Sequence, residues 1–193
     1  VGIQSFEEIR KKGYLYVDKT DIIWQLANRG RKYNYLNRPR RFGKSVLVDT
    51  LQAYFEGRKE LFEGLKIMDL ETEWTKHPVI RLDMSRAGSS AHELNAYLNQ
   101  AFKEYEQKYS IEASPADSLP NRFDAIIQSA YQQTGQQVVV LVEGYDSPLL
   151  NSWNTPHHEE CVSIYLNVFT ILKADDEYEE FVLITGTTKF TKL

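Results

Sequence analysis

From the amino terminus onward, apolar positions switch between a helical spacing of three to four residues and short unbroken runs. Ser5-Phe6-Glu7-Glu8 has the form of a capping box and Gly13 supplies a left-handed stop, so a short helix is predicted to open the chain. Tyr14 to Val17 reads as a brief extended piece. Thr20 can cap a second helix carrying Ile22, Ile23, Leu26 and Ala27, which Gly30 ends. Tyr33-Asn34-Tyr35-Leu36 is a short strand candidate. Beyond the loop from Asn37 to Gly43, Leu47, Leu51, Tyr54 and Phe55 follow the i, i+4, i+7, i+8 pattern of a helix closed by Gly57.

The second half repeats the alternation. Val79-Ile80-Arg81-Leu82-Asp83-Met84 reads as a strand, and a second capping box, Ser90-Ala91-His92-Glu93, starts a long helix. The stripe of that helix is Leu94, Tyr97, Leu98, Ala101, Phe102 and Tyr105; its spacing makes these aromatics core residues, not a platform for stacking bases. Leu119, Phe123, Ile126, Ile127, Ala130 and Tyr131 form another helix, ended by Thr134-Gly135. Val138 to Val142 is a run of β-favouring residues without alternation, which predicts a central strand covered on both faces. Thr155-Pro156 predicts a helix start, with Cys161, Ile164, Tyr165, Val168, Phe169 and Leu172 on its buried face and an end near Lys173. Phe181 to Ile184 is a second central strand, turning polar at Thr185-Gly186-Thr187-Thr188. Strands alternating with helices predict a three-layer α/β/α fold with a mainly parallel sheet.

At 193 residues the chain suits one domain, 1–193, divided here into a lead-in over 1–30 and a core over 31–193. Its 42% hydrophobic and 26% charged residues are ordinary globular values. No apolar run approaches the roughly 18 residues that cross a bilayer, so no membrane partner is expected. The single cysteine, Cys161, fits a reducing cytosol, and a cytoplasmic location is the expectation. A net charge of −4 argues against a surface that wraps nucleic acid throughout. The basic residues are nevertheless concentrated: Arg29, Arg31, Lys32, Arg38, Arg40, Arg41 and Lys44 fall in a stretch without a carboxylate, which suits an anion.

Gly43-Lys44-Ser45 lies between a predicted strand and a predicted helix, where a phosphate-binding loop ends. In such a loop, backbone N–H groups and the helix amino terminus receive phosphate oxygens, a lysine reaches the outer phosphates and a hydroxyl holds magnesium. Lys44 and Ser45 suit those two tasks, and the loop is read as Arg38-Pro39-Arg40-Arg41-Phe42-Gly43-Lys44-Ser45-Val46, with Arg38 where the first glycine usually stands. The apolar strand ending in Glu143 supplies the matching carboxylate: an acid there positions the water of a magnesium ion. One of Arg40 and Arg41 is expected to face the phosphates, with Arg41 taken as a group neutralising charge in the transition state. His157, His158 and Cys161 have helical spacing but no fourth ligand, so they read as helix-start histidines and a core cysteine.

Five segments together resemble the AAA-ATPase-like domain family of bacterial and archaeal proteins. They are residues 13–20 (GYLYVDKT), 38–45 (RPRRFGKS), 53–57 (AYFEG), 145–150 (YDSPLL) and 185–190 (TGTTKF), which cover nearly the whole chain. The resemblance implies a P-loop NTPase that binds ATP with Mg2+, on a sheet of the additional-strand type. It implies that Ser45 and Glu143 serve the metal, that Thr185 or Thr188 senses the γ-phosphate or attacking water, and that the segment around Asp18 and Thr20 passes near the adenine. It also implies that a last strand and a carboxy-terminal domain similar to restriction-type nucleases follow Leu193 in a longer protein, with any nucleic acid engaged through that whole protein.

The resemblance is broken at one place. The family reads Asp-Glu-Tyr-Asp where this chain reads Glu143-Gly144-Tyr145-Asp146, so the position of the usual catalytic glutamate holds no side chain. Binding is therefore expected with hydrolysis impaired, Glu143 or Asp146 being the carboxylates left for base chemistry, and Gly144→Glu is expected to raise turnover. Two alternatives stand beside an ATPase: a regulatory or assembly module that holds ATP without turnover, and a nucleic-acid-binding module using the basic stretch from Arg29 to Lys44. Oligomeric state is not encoded in any of these patterns.

Overall fold

The computed structural model describes residues 5–37, 44–114 and 116–188. Two short helices, α1 (Phe6–Lys11) and α2 (Thr20–Arg29), precede strand β1 (Tyr33–Asn37) and helix α3 (Lys44–Phe55). Then follow β2 (Val79–Asp83), α4 (Ala91–Lys108), α5 (Leu119–Thr134), β3 (Val138–Glu143), α6 (Ser147–Ser152), α7 (His158–Phe169), the single turn α8 (Ile171–Ala174) and β4 (Glu179–Gly186). The four strands make one parallel sheet in the order β1-β4-β3-β2. β4 thus separates β1 from β3, the strand that ends in Glu143, and β3 lies between β4 and β2.

The unbroken apolar run of β3 is explained by burial on both faces. Val138, Val140 and Val142 enter one core with Ile80, Leu82, Leu98, Phe102, Ile127 and Tyr165, under α4, α5 and α7. Val139 and Leu141 enter a second core with Phe6, Ile23, Leu51, Phe55, Phe181 and Leu183, under α1, α2 and α3. A parallel sheet sandwiched in this way is the predicted α/β/α arrangement.

Helix boundaries follow their caps. The Ser5 hydroxyl accepts from the Glu8 amide at 3.3 Å, the Ser90 hydroxyl from the Glu93 amide at 3.2 Å, and the Ser118 hydroxyl from the Asn121 amide at 3.3 Å. Gly135, at φ 69°, ends α5 with its amide on the Tyr131 carbonyl. Two expected starts shift. Thr20 is the first helical residue rather than the cap: the Asp18 carboxylate accepts its amide at 2.9 Å and its hydroxyl at 2.6 Å, while the buried Thr20 oxygen receives the Ile67 amide at 3.1 Å. Thr155 closes a turn onto the Ser152 carbonyl at 2.6 Å, and α7 begins later, at His158.

β2 lies at one margin of the sheet, yet two of its outward amides are paired. The Arg81 amide donates to the Tyr105 hydroxyl at 2.8 Å and the Asp83 amide to the Tyr97 hydroxyl at 2.7 Å, both tyrosines projecting from α4. Tyr97 and Tyr105 are accordingly half-buried, their rings against the core and their hydroxyls on the strand. No helix among the described residues is long and apolar enough to cross a membrane.

Candidate functional site

Because the strands are parallel and in register, with Asn37 beside Gly186 and Asp83 beside Glu143, their carboxyl ends form one rim. Open parallel sheets place ligand sites at this rim. α3 begins just past β1, Glu143 ends β3, and Thr185 to Thr188 end β4 and start the turn beyond it. Candidate residues from three separate regions of sequence are therefore brought to one end of the molecule. Arg38, Pro39, Arg40, Arg41, Phe42 and Gly43 lie outside the described residues, as does the side chain of Lys44.

A cavity of about 550 Å³ opens beside the first turns of α3. Its walls are the Leu15–Val17 segment, Ile22, Ile23 and Leu26 of α2, Asn34, Tyr35 and Leu36 of β1, Leu183 of β4, and Val46, Leu47 and Thr50 of α3. The size and the apolar lining with a few polar groups suit a planar heterocycle. Val46, expected at the nucleotide, lies in this wall.

Glu143 does not stand free. Side chains alternate along β3, so Glu143 projects on the α3 face with Val139 and Leu141; Arg81, the register partner of Leu141, projects on that face from β2. The Arg81 guanidinium grips both Glu143 oxygens, Nε to Oε2 at 3.0 Å and Nη2 to Oε1 at 3.1 Å. Its Nη1 donates to Asp49 Oδ1 at 2.5 Å and to Gln52 Oε1 at 3.0 Å, both on α3. Burial raises the Glu143 carboxyl above its ordinary range, against the opposing pull of Arg81. The Asp49 carboxylate also takes the Phe6 amide of α1 at 3.2 Å.

Asp146 is fully buried, and one of its oxygens, Oδ2, accepts four hydrogen bonds: from the Thr187 amide and hydroxyl at 2.7 and 3.0 Å, and from the Thr188 amide and hydroxyl at 2.8 and 2.8 Å. These bonds outweigh the cost of burial and hold its carboxyl below the usual range. Its other oxygen, Oδ1, is buried without a partner. The Thr188 carbonyl in turn accepts from the Tyr35 hydroxyl, and the Tyr145 amide donates to the Thr185 carbonyl at 2.9 Å. Tyr145 is buried against Tyr165 and Phe169, so the Tyr-Asp pair ties the end of β3 to the end of β4 and to α7. Thr185 is buried at the rim, beside Leu36 of β1.

Gly144 has φ +60°, and a Cβ there would stand 2.9 Å from the Ser85 amide nitrogen and 3.1 Å from the Ser85 Cβ. The missing side chain thus matches a backbone that a larger residue adopts only under strain. The basic stretch also divides. Arg29, over the Trp24 ring at 5.2 Å, Arg31 and Lys32, paired with Asp176 at 3.2 Å, sit at the amino end of β1, whereas Lys44 begins the helix at its carboxyl end. The strand between them spans roughly 15 Å. Cys161 is a buried core residue, and His158 Nδ1 lies 3.0 Å from the Ser152 hydroxyl.

The Ser45 hydroxyl and the Glu143 carboxylate are hard oxygen groups of the kind that would hold Mg2+. Arg81, Asp49 and Gln52 are the residues sequence reading passed over. A charged residue inside the short apolar run Val79-Ile80-Arg81-Leu82 was the one available signal.

A family model described as a predicted AAA-ATPase, AAA-ATPase-like, matches residues 1–193. A protein of Azotobacter chroococcum mcd 1, described as "Uncharacterized protein in vnfD 5'region", is 35% identical over 197 residues, an overlap that takes in 100% of this chain and 38% of that relative. The chain thus spans well under half the length of this relative. No solved structure matches this chain.

Proposed function

The chain belongs to the AAA-ATPase-like family, and from that premise we propose that it is a nucleotide-binding domain that holds Mg-ATP at the carboxyl rim of its sheet. The observation that carries the reading is the convergence there of the start of α3, the Glu143 carboxylate and the Thr185–Thr188 turn, beside a cavity sized for a purine. The loop from Arg38 through Val46, with the amino end of α3, is assigned to the phosphates, and Lys44 to the charge on the outer ones. The base lies against Ile22, Leu26 and Val46. Mg2+ supplies charge neutralisation to the phosphate oxygens when bound, with Ser45 and Glu143 as its protein-side oxygens. Thr185 or Thr188 serves as the sensor of the terminal phosphate, and Arg41 offsets charge growing on it.

Turnover is slow in this reading. Gly144 carries no base, and Asp146 is committed through one oxygen to the Thr187–Thr188 turn, which leaves Glu143 as the carboxylate assigned to base chemistry. A nucleotide-held regulatory module without turnover is the second reading, favoured by the left-handed, side-chain-free position 144. The separation of the basic residues to two ends of β1 weighs against a nucleic-acid surface on this domain. In the full-length protein, a cytoplasmic ATP-driven unit attached to a nuclease-like domain is the corresponding proposal.

Calorimetric titration with ATP, with and without magnesium, tests the reading beside Lys44→Ala. Binding that disappears in the variant supports the loop assignment, and phosphate release in the same samples separates an ATPase from a static nucleotide module. Absence of binding by the unaltered chain overturns both.

A further inference from the structure

We propose that Arg81 is a positioning residue that fixes the Glu143 carboxylate relative to the phosphate-loop helix, an inference that rests on the nucleotide reading above. Glu143 has one more rotatable bond than the aspartate usual at this position, so its carboxylate needs an external restraint to occupy one place. The Arg81 fork provides it. Nε and Nη2 hold the two oxygens at 3.0 and 3.1 Å, a planar bidentate geometry that a lysine cannot reproduce.

The same guanidinium is anchored from the other side. Asp49 and Gln52, one turn apart on α3, hold Nη1 at 2.5 and 3.0 Å, and α3 begins at Lys44. Arg81 therefore couples the end of β3 to the helix that begins at Lys44. The fork leaves each Glu143 oxygen with lone-pair capacity on its far side. Charge is left over too: two carboxylates against one guanidinium give the cluster a net negative charge suited to a divalent cation. The arrangement restrains Glu143 without using it up.

The test reads the magnesium-dependent gain in ATP affinity, measured by calorimetry with the metal-free affinity as internal control. Second-sphere partners of metal ligands are typically worth roughly 10–100-fold, and Arg81→Met is expected to cut the gain by about tenfold. Arg81→Lys, which keeps charge and fold but breaks the fork, is expected to cut it as well. Glu143→Gln is expected to abolish it, and the Arg81→Met/Glu143→Gln double variant to lose no more than Glu143→Gln alone. A full gain in Arg81→Lys and Arg81→Met, or additive losses in the double variant, overturns the proposal while the nucleotide reading stands. Failure of the unaltered chain to bind ATP overturns both.

Discussion

Asp146 and Thr188, 42 residues apart in sequence, are joined twice through one carboxylate oxygen, which takes the Thr188 amide at 2.8 Å and its hydroxyl at 2.8 Å. With the two matching bonds from Thr187, this makes Asp146 the clasp between the carboxyl ends of β3 and β4. Asp146→Ala leaves four donors without their acceptor and is expected to destabilise the fold by roughly 2–4 kcal/mol, read from urea unfolding. Because the folded carboxyl titrates below its unfolded value, its contribution is present above the unfolded value near pH 3.8 and is lost as pH falls through the lower folded one. The acid limb of a stability profile should therefore flatten in Asp146→Asn.

A second carboxyl works in the opposite sense. Glu179 is buried at the start of β4, with one oxygen near the Tyr33 hydroxyl at 3.2 Å and the other unpartnered, and burial pushes its titration from 4.5 up to about 7. The folded state then holds a proton that the unfolded chain releases, so the stability this confers is full below pH 4.5 and is lost as pH rises to about 7. Glu179→Gln is expected to raise the unfolding temperature at pH 8 by several degrees and to change it little at pH 4.5. Equal effects at the two pH values would show that the carboxyl is not the titrating group.

Gly144→Ala and Gly144→Glu both force a side chain onto a left-handed backbone that crowds Ser85. Each is expected to lower stability by roughly 1–3 kcal/mol, measured by thermal unfolding. Only Gly144→Glu returns a carboxylate to the rim, so faster phosphate release at low temperature is expected for it and not for Gly144→Ala.

Much of this was legible in sequence because it is local. The both-faces burial of β3 follows from the unalternating Val138–Val142, the end of α5 from Thr134-Gly135, and the strand and helix either side of the 38–43 segment from their own apolar patterns. What escaped was set by partners distant in sequence. Arg81 meets Glu143 only because β2 and β3 pair in one particular register, and Asp146 finds the Thr187–Thr188 turn only once β4 lies beside β3. α6 escaped for a different reason: a six-residue helix around Ser147-Pro148 has too few turns to show a period. The 3₁₀ pieces Lys59–Phe62, Lys66–Asp69, Met84–Arg86 and Asp176–Tyr178 are shorter still.

The α4 tyrosines offer a further test. Tyr105→Phe leaves the Arg81 amide facing a ring edge, and roughly 1–2 kcal/mol of stability should be lost. Hydrogen exchange at the Arg81 amide should accelerate in this variant while that at Asp83, held by Tyr97, stays slow.

Those two phenols also give the sheet a handedness of growth. A strand seeking to extend it beyond β2 would have to displace hydroxyls already seated on the Arg81 and Asp83 amides, so that side is sealed as effectively as a zip with its end-stop fitted. Any lengthening of the sheet, whether by more of the same polypeptide or by another molecule, is thereby steered to the opposite margin, alongside β1.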